Sequence, residues 1–140
     1  MRFVCDAPRG LTWFSMETQV EADAESELMG HAVAKHFARF RERARLSYRP
    51  REGIASIERD IGLNDHIRRE SPLFLTLRDG EGAALVTAML SKDVREGRSG
   101  DVIIVGAGNA DPYPAYGDAI NILAAHFRVD LSRERCFPYG

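Results

Sequence analysis

Two apolar runs joined by a four-residue turn constrain this chain more than any other feature. Leu73-Phe74-Leu75-Thr76-Leu77-Arg78 and residues 83–90 flank Asp79-Gly80-Glu81-Gly82. Runs of this length, rich in Leu, Val, Phe and Thr, form strands, and a short Asp/Gly link folds them back as a hairpin. A tight hairpin demands antiparallel neighbours, since a parallel pair needs a crossover of a dozen or more residues. Two further strands are predicted at 3–5 and 11–16, with Ala7-Pro8-Arg9-Gly10 between them, and a fifth at Val102-Ile103-Ile104-Val105. Helical segments separate these runs and give the order β-β-α-α-β-β-β-α. The expectation is an α+β domain over residues 1–140, a mostly antiparallel sheet of about five strands with helices packed on one face. Strand order does not follow from this pattern.

The first helical stretch carries information through its length. Thr18 and Glu21 form a capping-box pair, in which each side chain satisfies an orphan backbone amide at a helix start. An apolar stripe of Leu28, Ala32, Val33, Phe37, Phe40 and Ala44 then continues towards Ser47, close to a 3.6-residue repeat. One rod over 18–47 is roughly 45 Å long at ~1.5 Å per residue. A compact domain of this size is only roughly 37 Å across. Either Gly30 breaks the rod or one end packs on another chain; the second option, with Phe37 and Phe40 covered by a partner, predicts a homodimer. After Pro50, Ile54, Ile57 and Ile61 predict a shorter helix that stops at Gly62, with a further turn over 64–70 ended by Pro72.

Composition narrows the class of protein. Apolar residues make up 44% and charged residues 29% of the 140-residue chain, the values of a soluble globular domain. Its longest apolar runs fall far short of a membrane span. The first residues, Met1-Arg2-Phe3-Val4-Cys5-Asp6, lack the apolar core of a signal peptide. A cytoplasmic protein without membrane association is therefore expected, its Cys5 and Cys136 free thiols with no Cys-x-x-Cys spacing. A net charge of −2 argues against bulk attraction to nucleic acid.

The stretch Val102 to Phe127 holds the best candidate for a binding site. A buried strand runs into Gly106-Ala107-Gly108-Asn109-Ala110-Asp111, then Pro112 and Pro114, then a helix burying Ile120, Leu123, Ala124 and Phe127. Flexible backbone beside a helix N-terminus is a place where anions are often held. A dinucleotide fingerprint is excluded, because Asp111 occupies the third glycine position and would repel a pyrophosphate. No Gly-Lys-Ser/Thr follows, so a P-loop is excluded too. What remains is a generic site for an anionic or carbonyl ligand: Gly106, Gly108 and Asn109 as backbone and amide contacts, with Asp111 and Tyr116 as acid–base candidates. The same residues are also those a ligand-free strand–helix corner requires.

Other constellations are weaker. Lys35, Arg39, Arg41, Arg43, Arg45, Arg49 and Arg51 form a basic block, but its aromatics Phe37 and Phe40 fall on the apolar stripe and Glu42 interrupts it. A solvated face, or a dock for an acidic protein partner, is expected there rather than nucleic-acid binding. His31 and His36 are five apart, off a shared helix face, and His66 and His126 lie on other elements. Asp118 and His126, eight apart on one helix, are too far from each other to share a metal. Cys136, flanked by Arg133 and Arg135, is a candidate reactive thiolate. No metal or cofactor is expected. The reading that follows is a non-enzymatic binding or interaction module acting as a homo-oligomer; the alternative is a small-molecule binding protein or enzyme using the corner at 106–118.

Overall fold

The computed structural model describes residues 1–139. Its centre is one five-stranded antiparallel sheet in chain order: β1 (Arg2–Ala7), β2 (Leu11–Ser15), β3 (Leu73–Arg78), β4 (Ala84–Leu90) and β5 (Val102–Val105). The hairpin of β3 and β4 forms as expected, and its turn is closed by Asp79, whose Oδ1 accepts from the amides of Glu81 and Ala83. Four helices complete the α+β fold: α1 (Gln19–Met29), α2 (Val33–Ser47), α3 (Ser56–Glu70) and α4 (Tyr113–Phe127). The first three lie in the connection between β2 and β3.

Helices cover both faces of the sheet, where the sequence pattern predicts one. Strand register lines up Trp13, Leu77 and Val86 in one row across the sheet, Leu75, Ala88 and Ile104 in another, and Leu90 with Val102. These residues share a core with Ala119, Ile120 and Leu123 of α4. Trp13 is anchored there by its indole N–H, which donates to the carbonyl of Ala119 at 2.9 Å. The alternate residues point the other way, as the two-residue period of a strand requires. On that second face Phe74 and Met89 pack with Ala22, Val33 and Phe37 of α1 and α2. Two faces must be covered because β3 is apolar or buried at almost every position, Phe74 to Leu77 all being inaccessible.

The long rod over 18–47 does not form. The capping box of Thr18 and Glu21 starts α1, and Gly30 ends it at φ 66°, a left-handed conformation that suits glycine. The chain then doubles back, so that Ser26 Oγ accepts from the Ala34 amide at 2.7 Å and supplies a partner at the start of α2. Phe37 is covered within its own chain, its ring 5.1 Å from that of Phe74 in an edge-on contact. The overhang that suggested a second chain is therefore absent. Leu28, assigned to the buried stripe, is exposed; the inner stripe of α1 is Ala22, Glu25 and Met29.

The second expected helix also differs. It runs past Gly62 to Glu70 as one element, and Gly62 serves a close approach rather than a stop. A Cβ there would lie 2.4 Å from the Tyr48 hydroxyl, so the missing side chain lets Tyr48 sit against α3. No residue of α3 is buried, and Ile57 and Ile61 are 70% and 58% exposed. No helix among the described residues is long and apolar enough to cross a membrane.

Candidate functional site

The corner after β5 is built mainly from its own backbone. The amides of Gly106, Asn109 and Ala110 donate to the carbonyls of Ala110, Gly106 and Ala107. Gly108 and Asn109 both take positive φ, 60° and 63°, to close this knot. Asp111 accepts from the Tyr113 amide at 3.0 Å and from Arg133 Nε at 2.8 Å; desolvation, the largest single influence, pushes its carboxyl up, but these two hydrogen bonds and the Arg133 charge together hold it below the ordinary range. Tyr116 packs against the α4 core on the other face of the sheet. The five residues singled out in sequence therefore do not converge: Asn109 alone among them lines the deep cleft described below.

A different cluster stands out, centred on Glu25. Its side chain is fully buried between α1 and the sheet. Burying an isolated carboxylate is strongly unfavourable, so its partners matter. Arg78 Nη2 donates to Oε1 at 2.6 Å, Thr76 Oγ1 donates to the same oxygen at 3.0 Å, and Thr87 Oγ1 donates to Oε2 at 2.6 Å. Arg78 Nε also donates to Thr76 Oγ1 at 2.9 Å. Thr76 and Thr87 face each other across the β3–β4 hairpin, so strand register alone brings both hydroxyls under the carboxylate.

The network continues outward to a histidine. His31 Nε2 lies 2.8 Å from Thr87 Oγ1. A threonine hydroxyl has one proton, and Thr87 gives it to Glu25. Its oxygen is then an acceptor for His31, which places the His31 proton on Nε2. The other ring nitrogen, Nδ1, accepts a long contact from the Val33 amide at 3.4 Å, in keeping with that tautomer. Burial holds the His31 pKa below its ordinary value, with the Glu25 carboxylate pulling partly the other way. His31 is thus a neutral imidazole oriented by a buried charge one hydroxyl away.

His31 forms part of a cleft of about 360 Å³ between the α1–α2 link, β4, β5 and the tail after α4. Met89, Ile103, Val105 and Phe137 supply apolar walls, and Thr87, His36 and Asn109 supply polar ones. His36 Nδ1 is 2.8 Å from Arg39 Nη2. Arginine can only donate, so His36 carries its proton on Nε2, which makes no hydrogen bond to the described residues. Burial, with Arg39 and Lys35 nearby, lowers its pKa as well. The cleft therefore combines an apolar body with a few directed polar groups, the usual make-up of a small-molecule site.

The chain matches no family model, no curated protein and no solved structure.

Sequence reasoning missed this site for a definite reason. A five-residue spacing separates His31 from His36 only if both lie on one continuous helix. Because Gly30 ends α1, His31 belongs to a link free to turn towards the sheet, and both histidines reach one cleft. An acid on the inner stripe of α1, and two threonines in otherwise apolar strands, were the legible signals.

The remaining candidates have structural explanations. Cys136 is fully buried, and burial raises its thiol pKa, the opposite of an activated thiolate. Asp118 is paired with Arg9 of the β1–β2 turn. No group of three potential metal ligands occurs among the described residues.

Proposed function

We propose that this protein is a small-molecule binding module whose site is the cleft lined by His31, His36, Thr87 and Asn109. The observation that carries this reading is the buried Glu25 carboxylate, connected through Thr87 to a histidine in the cleft wall. Well-packed apolar residues in place of a buried ion pair are often as stable or more so. A charge kept here, directly behind a cleft, has a use in fixing the hydrogen-bonding face of His31. The ligand class that suits the lining is a mostly apolar molecule bearing a carbonyl or similar acceptor for the His36 N–H and the Asn109 amide.

Acetophenone and benzamide are suitable probes. Titration followed by NMR should give saturable shifts of the Met89 methyl and the His31 and His36 rings. Ile103→Arg, which fills the cleft from β5, should abolish them. Shifts that never saturate, or that survive Ile103→Arg unchanged, would remove the cleft as a binding site.

A second reading rests on α3. A helix with no buried residue and with Ile57 and Ile61 one turn apart in solvent supports self-association as a homodimer. The acidic and basic residues around this pair, Glu58, Arg59, Asp60 and Arg68, suit an isologous contact in which unlike charges meet. Sedimentation equilibrium at tens of micromolar should give a dimer that Ile57→Lys/Ile61→Lys converts to monomer; a clean wild-type monomer there sinks the reading. A cytoplasmic location fits this picture, since Cys5 and Cys136 are both free thiols.

A further inference from the structure

A second cleft, of about 240 Å³, opens at the end of the sheet where β1 begins, β2 ends and β3 begins. Four arginines from four separate elements line it: Arg2 of β1, Arg41 of α2, Arg68 of α3, and Arg95 of the turn after β4. The carboxylate in the lining is Glu17, 3.3 Å from Arg2 Nε and 3.9 Å from Arg41 Nη2. Four guanidiniums against Glu17 in the lining and Asp65 beside Arg68 leave about two unbalanced positive charges in one concavity, by simple formal charge.

Part of this charge has local structural use. Arg95 donates to the carbonyls of Arg68, Arg69 and Ser71 and so closes the C-terminal end of α3. Arg68 has a loose contact with Asp65 at 3.7 Å. Arg41 is different. Its guanidinium lies over the Phe37 ring at 4.6 Å, and its Nε is buried without a hydrogen-bond partner among the described residues. Burial lowers the pKa of Arg41, and Arg68 and Arg95 lower it further against the opposing pull of Glu17. A buried guanidinium N–H left unpaired is unfavourable by itself. Like charges gathered around it add to that, and an anion bound in the cleft would offset this crowding of charge.

We infer that this arginine cleft is a binding site for the phosphoryl group of a small organic phosphate. A dianion matches the charge excess, and guanidinium forks present paired N–H donors to phosphate oxygens. Phe3, Phe74 and Phe127 supply apolar wall for the organic portion. The site is separate from the histidine cleft and does not depend on it.

The test is calorimetric titration at pH 7.5 with phenyl phosphate and with inorganic phosphate, ionic strength held constant with NaCl. Phenyl phosphate should bind saturably at one site per chain and more tightly than inorganic phosphate. Arg41→Gln should weaken it at least ~10-fold, as loss of a charge-assisted contact does. Arg2→Gln, at an exposed position that leaves the fold intact, should weaken it several-fold. Arg45→Gln, whose exposed side chain pairs with Glu42, should leave binding unchanged. The inference is overturned if no heat beyond the NaCl reference is seen, or if Arg41→Gln and Arg2→Gln bind as wild type. Inorganic phosphate binding as tightly as phenyl phosphate would restrict the site to the free ion and overturn the organic-phosphate assignment.

Discussion

Glu25→Ala should lower stability by about 3–5 kcal/mol, the range for removing one partner of a buried ion pair. In a chain of this size that is a fall in melting temperature of roughly 10–15 °C. The loss has three sources. Arg78, nearly buried, keeps only its contacts to Thr76 and the Gly82 carbonyl. The hydroxyl protons of Thr76 and Thr87 lose their acceptor beneath the helix. Finally, the volume of a carboxymethyl group is left empty against the sheet. Calorimetry of the purified variant measures the sum. The combination Glu25→Leu, Arg78→Met, Thr87→Val removes all charge together and should recover much of the loss, since apolar replacement of a buried network is often neutral. A shift of only one or two degrees for Glu25→Ala would mean the carboxylate is not engaged as described.

Trp13→Ala should be comparably damaging on the opposite face, about 3–5 kcal/mol for an aromatic truncated in a packed core. Trp13 is fully buried among residues of β3, β4 and α4, and its N–H satisfies the Ala119 carbonyl. That bond ties the middle of α4 to the sheet, so its loss adds about 1 kcal/mol. Trp13→Phe separates the two effects: most of the ring remains, the donor is gone, and a smaller loss of about 1–3 kcal/mol is expected. Because this is the single tryptophan of the chain, unfolding is best followed by circular dichroism. Equal losses for the two variants would assign the anchoring to the hydrogen bond and not to packing.

The parts of the fold that were legible are those where one local rule suffices. The β3–β4 hairpin announces itself through its Asp/Gly turn, and the α1 start through Thr18 and Glu21. Placement of helices on both faces was not recognised, although the near-continuous apolar run of β3 is the mark of a strand covered on both sides. Gly30 and Gly62 illustrate a deeper limit. Both interrupt helical patterns in the sequence, yet one ends a helix through its backbone angle and the other makes room for Tyr48. Only tertiary contacts decide between these roles. The site was hidden for the same reason: Glu25, Thr76, Thr87 and His31 lie on four elements or links, and pairing of β3 with β4 brings them together. Of the corner residues, Asn109 reaches the cleft because the turn after β5 ends beside it.

The central claim is that a buried carboxylate fixes the proton of His31 at the edge of a ligand cleft. Imidazole ¹⁵N NMR with a pH titration tests it most directly. At pH 7, His31 should be neutral, with Nε2 protonated and Nδ1 bare, and it should stay so below the peptide value of about 6.5. With the folded pKa depressed, the unfolded chain takes up the proton first, so the His31 contribution to stability is full above that value and declines as pH falls towards the folded pKa. Thr87→Val, which cuts the link to Glu25, should release His31 into a mixture of tautomers. A wild-type His31 that exchanges freely between tautomers at pH 7, or that titrates above its ordinary value, would contradict the account.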